Sequence, residues 1–115
     1  MRKNIKILLL HVLESIERIE NFTKEVSRDK FFKSEIVQDA VLRRLGIIGE
    51  AVKNLPENFK KKHPKVEWKK IAGTRDILIH EYFGVDLDLT YKIVKKDIPE
   101  LKKNISEILR NIKEV

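Results

Sequence analysis

The sequence predicts an all-α protein, an antiparallel up-and-down four-helix bundle. Three observations predict it. Apolar residues step by three and four over long stretches, as Ile5, Leu8, Leu9, Val12, Ile16 and Ile19 do, which is the spacing of one helix face. No segment alternates apolar and polar residues with the period of two that a half-buried strand requires. The periodic stretches are separated by short connectors, and short connectors make neighbouring helices antiparallel. At 115 residues the chain forms one domain, 1–115, with one modest core.

The elements follow in order. The stripe from Ile5 to Ile19 predicts a first helix over about residues 3–25. Ser34 offers an N-cap to a second, whose stripe is Val37, Val41, Leu45, Ile48, Val52 and Leu55, and which Pro56 ends. Pro56 to Val66 is a basic connector with room for one short helical turn. A third helix starts near Glu67, carries Trp68, Ala72 and Ile79, and stops at Gly84, since glycine commonly follows a helix. Asp86 or Asp88 caps a fourth helix running towards Ile112. Pro99 interrupts that pattern and must kink or split it, and Asp97 with Glu100 three residues later reads as a capping box for a restart.

Composition narrows the class. The chain has no cysteine, which removes disulfides and thiolate metal sites and suits the cytoplasm. Its formal charge is +7, which favours a polyanionic partner such as RNA, DNA or an acidic protein, or simply keeps a helical bundle soluble. Lys60, Lys61, Lys62, Lys65, Lys69 and Lys70 form the densest basic cluster and the best local candidates for RNA phosphate contacts. Met1-Arg2-Lys3 ahead of Ile7-Leu8-Leu9-Leu10 faintly resembles a signal peptide, but Lys6 and His11 break the apolar run and no cleavage site follows. No window approaches the roughly 20 apolar residues of a membrane span.

The chemistry concentrates in Thr74-Arg75-Asp76-Ile77-Leu78-Ile79-His80-Glu81-Tyr82-Phe83. A helical residue turns about 100°, so Arg75, Ile79 and Tyr82 share one face and Asp76 and His80 the neighbouring one. Arg75 and His80 are then about 140° apart. Two facing copies of the helix bring them together more readily than one, so the spacing favours a site shared across a homodimer. The residue types suit RNA cleavage through the 2′-hydroxyl. Histidine titrates near neutrality and moves protons, and arginine stabilises charge on the phosphorane with several fixed donors. Asp76, one turn before His80, is placed to accept its ring N–H and set the tautomer. No metal or other cofactor is needed. His80-Glu81-Tyr82-Phe83-Gly84 begins like a zinc-protease helix, but Gly84 stands where the second histidine would be. Gly46-Ile47-Ile48-Gly49 has the letters of a nucleic-acid clamp loop, yet on a helix it reads as a notch for close packing.

An isolated Arg-x-x-x-x-His is more often a surface ion pair beside a satisfied histidine. Two features weigh against that here. The motif is assigned to the helix richest in apolar neighbours, where idle charges are costly. The wider sequence also resembles the HepT-like toxins, small ribonucleases of the HEPN class. The resemblance is carried by Arg75-x-x-x-x-His80-x-Tyr82, by Glu35 to Leu45, by Ile47-Ile48-Gly49-Glu50-Ala51-Val52-Lys53, by Trp68 to Gly73 and by His80 to Asp86, and it covers nearly the whole chain.

The resemblance implies a helical bundle, paired so that two motifs line a shared cleft. It implies that Arg75 and His80 are the catalytic pair, with Asp76 at a polar position beside them. It implies that Tyr82 is the hydroxyl on which a partner minimal nucleotidyltransferase antitoxin places AMP. The expected activity is that of a metal-independent endoribonuclease toxin acting on tRNA or mRNA. The alternatives are a non-catalytic HEPN subunit presenting substrate or nucleotide to a nucleotidyltransferase, and a purely structural helical adaptor. One position departs from the family, which commonly carries an acidic residue where Gly46 stands. That loss either alters the cleft or lets the helices pack more closely.

Overall fold

The computed structural model describes residues 4–80 and 86–112, without the side chains of 79 and 80. The described residues are all-α. In order they form α1 (Ile5–Thr23), α2 (Arg28–Lys33), α3 (Glu35–Lys53), α4 (Glu57–Lys62), α5 (Trp68–His80), α6 (Leu87–Lys92), a π-helical turn (Ile93–Asp97) and α7 (Ile98–Asn111).

The first helix begins where Asn4 accepts a hydrogen bond from the Ile7 N–H at 3.2 Å, satisfying one of the free donors of a helix start. Its stripe Leu9, Val12, Ile16 and Ile19 is fully buried. Those residues pack along α3, which Ser34 caps through the Val37 N–H at 3.2 Å and which buries Val41, Leu45, Ile48 and Val52. Helix α7 lies against another side of α1, where Lys102 reaches Glu20 at 2.8 Å. That hydrogen bond, with the same carboxylate's charge, raises the Lys102 pKa.

Three short helices fill the ends of the long ones. Sequence periodicity assigns no element to 26–33. Ser27 caps α2 there, and its Phe31 is fully buried, 5.5 Å from the Tyr91 ring. A six-residue helix is too short to show an apolar period, so tertiary contacts hold it: Phe31 in the core, Gln38 donating to the Phe31 carbonyl at 2.9 Å, and the Arg28–Asp88 ion pair. The basic connector holds α4, and Phe59 packs on Trp68 at 5.9 Å. The Trp68 indole N–H donates to the His63 carbonyl at 3.0 Å, which turns the chain into α5. Helix α6 starts at Asp86, whose carboxylate accepts from the Leu89 N–H at 3.0 Å.

The α-helical pattern is interrupted ahead of Pro99, but not by the capping box that the sequence suggests. Asp97 keeps helical backbone angles and its side chain caps nothing. Instead the helix widens, and the Ile98 N–H reaches the Ile93 carbonyl five residues back. Pro99 then falls in the first turn of α7, where its missing N–H costs least. The end that the sequence assigns to the third helix at Gly84 lies outside the described residues.

Candidate functional site

Asp39, Arg43, Gly46, Glu50 and Lys53 recur on α3 by four and three, like the buried stripes, so they define one face of that helix. This face borders α5. Together they line an open cleft of about 600 Å³, to which α5 contributes Ala72, Arg75 and Asp76. The apolar stripe of α3 predicts its core contact but not this polar face. Its own four-and-three spacing was the available signal.

Two glycines shape the seam between α3 and α5. A Cβ on Gly49 would stand 3.0 Å from the Ala72 carbonyl oxygen, so Gly49 lets the two backbones approach, as a packing notch does. A Cβ on Gly46 would stand 2.5 Å from Arg75 Cδ and 3.0 Å from its Nε. Gly46 therefore gives room to a side chain rather than to a backbone: the stem of Arg75 lies across α3 where any other residue would project.

Arg75 and Asp76 are both exposed. The expectation that their helix would surround them with apolar neighbours does not hold. Helix α5 buries Trp68 and Leu78 but leaves Ile77 42 % exposed, because it lies on the surface of α3 rather than inside the bundle. Asp76 approaches Lys53 of α3 at 3.9 Å. Such an exposed pair contributes little stability, about 0–1 kcal/mol. It does occupy one acid of the cleft, and among the described residues no carboxylate forms an ion pair with Arg75.

His80 closes α5, but its ring lies outside the described residues, as does the whole of Tyr82. The contact assigned to Asp76 and His80 therefore also lies outside them. The six lysines of the basic cluster do not line the Arg75 cleft, whose cations are Arg43, Lys53 and Arg75. Lys60 is largely covered and sits 3.5 Å from Glu57. Lys61, Lys62, Lys65, Lys69 and Lys70 are exposed. No described helix is long and apolar enough to cross a membrane.

Comparison with known proteins identifies the family of the chain. Residues 12–108 match a family described as HepT-like, ribonuclease HepT-like. A Methanocaldococcus jannaschii protein named as a gamma-glutamylcyclotransferase and candidate RNase is 60% identical over 102 residues, 89% of this chain; the chain spans 46% of that relative's length. A Thermococcus cleftensis protein named as a candidate ribonuclease HepT is 48% identical over 102 residues, 89% of this chain and 93% of its own length. A candidate RNase of Caldanaerobacter subterraneus is 49% identical over 94 residues, 82% of this chain and 84% of its own length. No solved structure matches the chain.

Proposed function

We propose that this chain, which belongs to the ribonuclease HepT-like family, is a cytoplasmic endoribonuclease toxin that cleaves tRNA or mRNA through the 2′-hydroxyl without a metal. The observation that carries this reading is the Arg75 guanidinium, seated on the Gly46 notch in an open cleft and in no ion pair with Asp39, Glu50 or Asp76, the described carboxylates that share the cleft. A guanidinium in that position has its donors available for a phosphodiester.

In the proposed reaction the 2′-oxygen attacks phosphorus, its proton leaves to a base, and the departing 5′-oxygen takes up a proton. The products are a 2′,3′-cyclic phosphate and a 5′-hydroxyl. Arg75 stabilises the charge that builds on the phosphorane and His80 carries protons. Asp76 orients the His80 ring. Arg43 and Lys53 are further cations of the cleft, balanced there by Asp39, Glu50 and Asp76, and the exposed lysines at 61, 62, 65, 69 and 70, with Lys60 beside them, add long-range attraction for RNA.

The angular separation of positions 75 and 80 supports a homodimer in which α5 of each copy faces the other, and the exposed Ile77 offers apolar surface to such pairing. Tyr82 is the proposed site of AMP addition by a partner nucleotidyltransferase antitoxin. The added phosphate would compete with RNA for Arg75 and silence cleavage.

The decisive experiment incubates the purified protein with RNA in chelator and identifies the ends produced. Cyclic phosphate ends that disappear in Arg75→Ala and His80→Ala are expected. A strict magnesium requirement, or 3′-hydroxyl ends, rejects the mechanism. A stable monomer at micromolar concentration with full activity rejects the shared site. Tyr82→Phe should stay folded and active but escape silencing by the nucleotidyltransferase with ATP. Normal silencing of that variant removes Tyr82 from the scheme.

A further inference from the structure

On the other flank of α5 lies a second concavity of about 100 Å³. Helices α3 and α5 contribute Leu45, Ile48 and Ile71 to its walls, and the π-helical turn and α7 contribute Ile93, Ile98 and Leu101. Among these apolar side chains stands Asn104. It is 7 % exposed, and no hydrogen bond to its side chain forms among the described residues. No sealed polar atom of the described residues lacks a partner, so the Asn104 amide opens onto the cavity that it lines. Its polar atoms thus face the cavity with no partner among the described residues, placed to pair with whatever enters it.

The surroundings point to what would satisfy it. An amide presents donors and an acceptor side by side, which matches the edge of a heterocyclic base. Apolar side chains from two separate layers suit the faces of a planar ring. The π-helical turn, a rare element that often marks functional positions, places Ile93 and Asp97 in the wall. At the rim, Lys65 and Lys70 stand on the connector and α5 side with Glu67, while Asp97 and Glu100 stand opposite. These acids outnumber the two lysines, so the cavity itself suits an uncharged ring, and a phosphate attached to that ring would be met only by Lys65 and Lys70. Thr74 lines this cavity and Arg75 the catalytic cleft, so consecutive residues of α5 face the two concavities. A few nucleotides of single strand span a helix of about 10 Å diameter.

We propose that this cavity is a base-binding subsite for single-stranded RNA, in which Asn104 hydrogen-bonds the edge of one base held between the walls of α3–α5 and α7. The proposal rests on the ribonuclease reading for its ligand, and it gives that enzyme a means of choosing sequence.

The test uses short 2′-O-methyl oligonucleotides of A, C, G or U, which the 2′-hydroxyl route cannot cleave, with binding read by fluorescence anisotropy. Wild-type protein should prefer one base by roughly tenfold, the discrimination that an amide-to-base pair supplies. Asn104→Leu should lose that preference by weakening the favoured oligonucleotide alone. Equal binding of all four by wild type, or an unchanged preference in the variant, overturns the proposal. Should the variant misfold, the methyl resonances of Ile48, Ile71 and Ile93 in wild-type protein give the same answer. They should shift with the favoured oligonucleotide, and unmoved resonances sink the idea. Free nucleoside monophosphates binding as tightly as RNA would assign the cavity to a small nucleotide instead and overturn the RNA occupant. Base preference without cleavage of unmodified RNA would refute the ribonuclease reading and leave the subsite standing. Cleavage without preference would do the reverse.

Discussion

Helix α3 has two seams, and they are built differently. Towards α1 it is closed: the two helices pack together, and Val12, Ile16 and Ile19 of α1 and Val41 and Val52 of α3 are fully buried. Towards α5 it carries glycines and charges, and an open cleft runs alongside. Both seams use the same three-and-four spacing. One seam is closed by apolar side chains, while the other brings backbones together at Gly49 and leaves a guanidinium accessible beside Gly46. The difference teaches that apolar burial and site geometry are encoded on separate faces of a single helix, so each can be broken without the other.

The largest effect should come from the closed seam. Ile16→Ala removes a fully buried side chain from the α1–α3 contact and should lower unfolding free energy by about 2–5 kcal/mol. Denaturant titration measures this, and cleavage per folded molecule should be unchanged. A variant that is fully stable but inactive would show that the two seams are not separable. Next come Arg75→Ala and His80→Ala. Each should lower the cleavage rate by about 10²-fold or more, with the melting temperature unmoved. A loss of stability matching the loss of rate would make these residues structural.

The two glycines sharpen the comparison within the open seam. Gly49→Ala presses a methyl on the Ala72 carbonyl and should destabilise by about 1–3 kcal/mol, since backbone cannot move aside cheaply. Gly46→Ala meets only the flexible stem of Arg75. It should hold or gain stability, because alanine is favoured over glycine within a helix by about 1 kcal/mol. Its cleavage rate should nonetheless fall about tenfold as Arg75 is displaced, and the fall should vanish in an Arg75→Ala background. Equal melting shifts for the two glycine variants would contradict their separate roles. The smallest effect belongs to Lys53→Met. Losing an exposed partner at 3.9 Å from Asp76 should change stability by under about 1 kcal/mol, measured by thermal melting. A much larger change would mean that this pair, rather than Gly49, clamps α5 to α3.

The amino-acid sequence by itself determined which stretches are helical and where several begin. Periodicity and caps are local, and the roles of Ser34 and Asp86 require only residues three positions away. It also determined the candidate chemistry, because Arg75, Asp76 and His80 lie on one helix at spacings that can be counted. Short α2 escaped because six residues hold no period, and the capping box at Asp97 failed because a wider turn dealt with Pro99 first. Tertiary structure alone decided that α5 lies on the bundle surface, that Gly46 makes room for Arg75 while Gly49 admits a backbone, and that Asn104 faces a cavity. Each of these depends on a distance between residues far apart in the chain. Such distances follow from how whole helices pack against each other, which the pattern within any one helix does not specify.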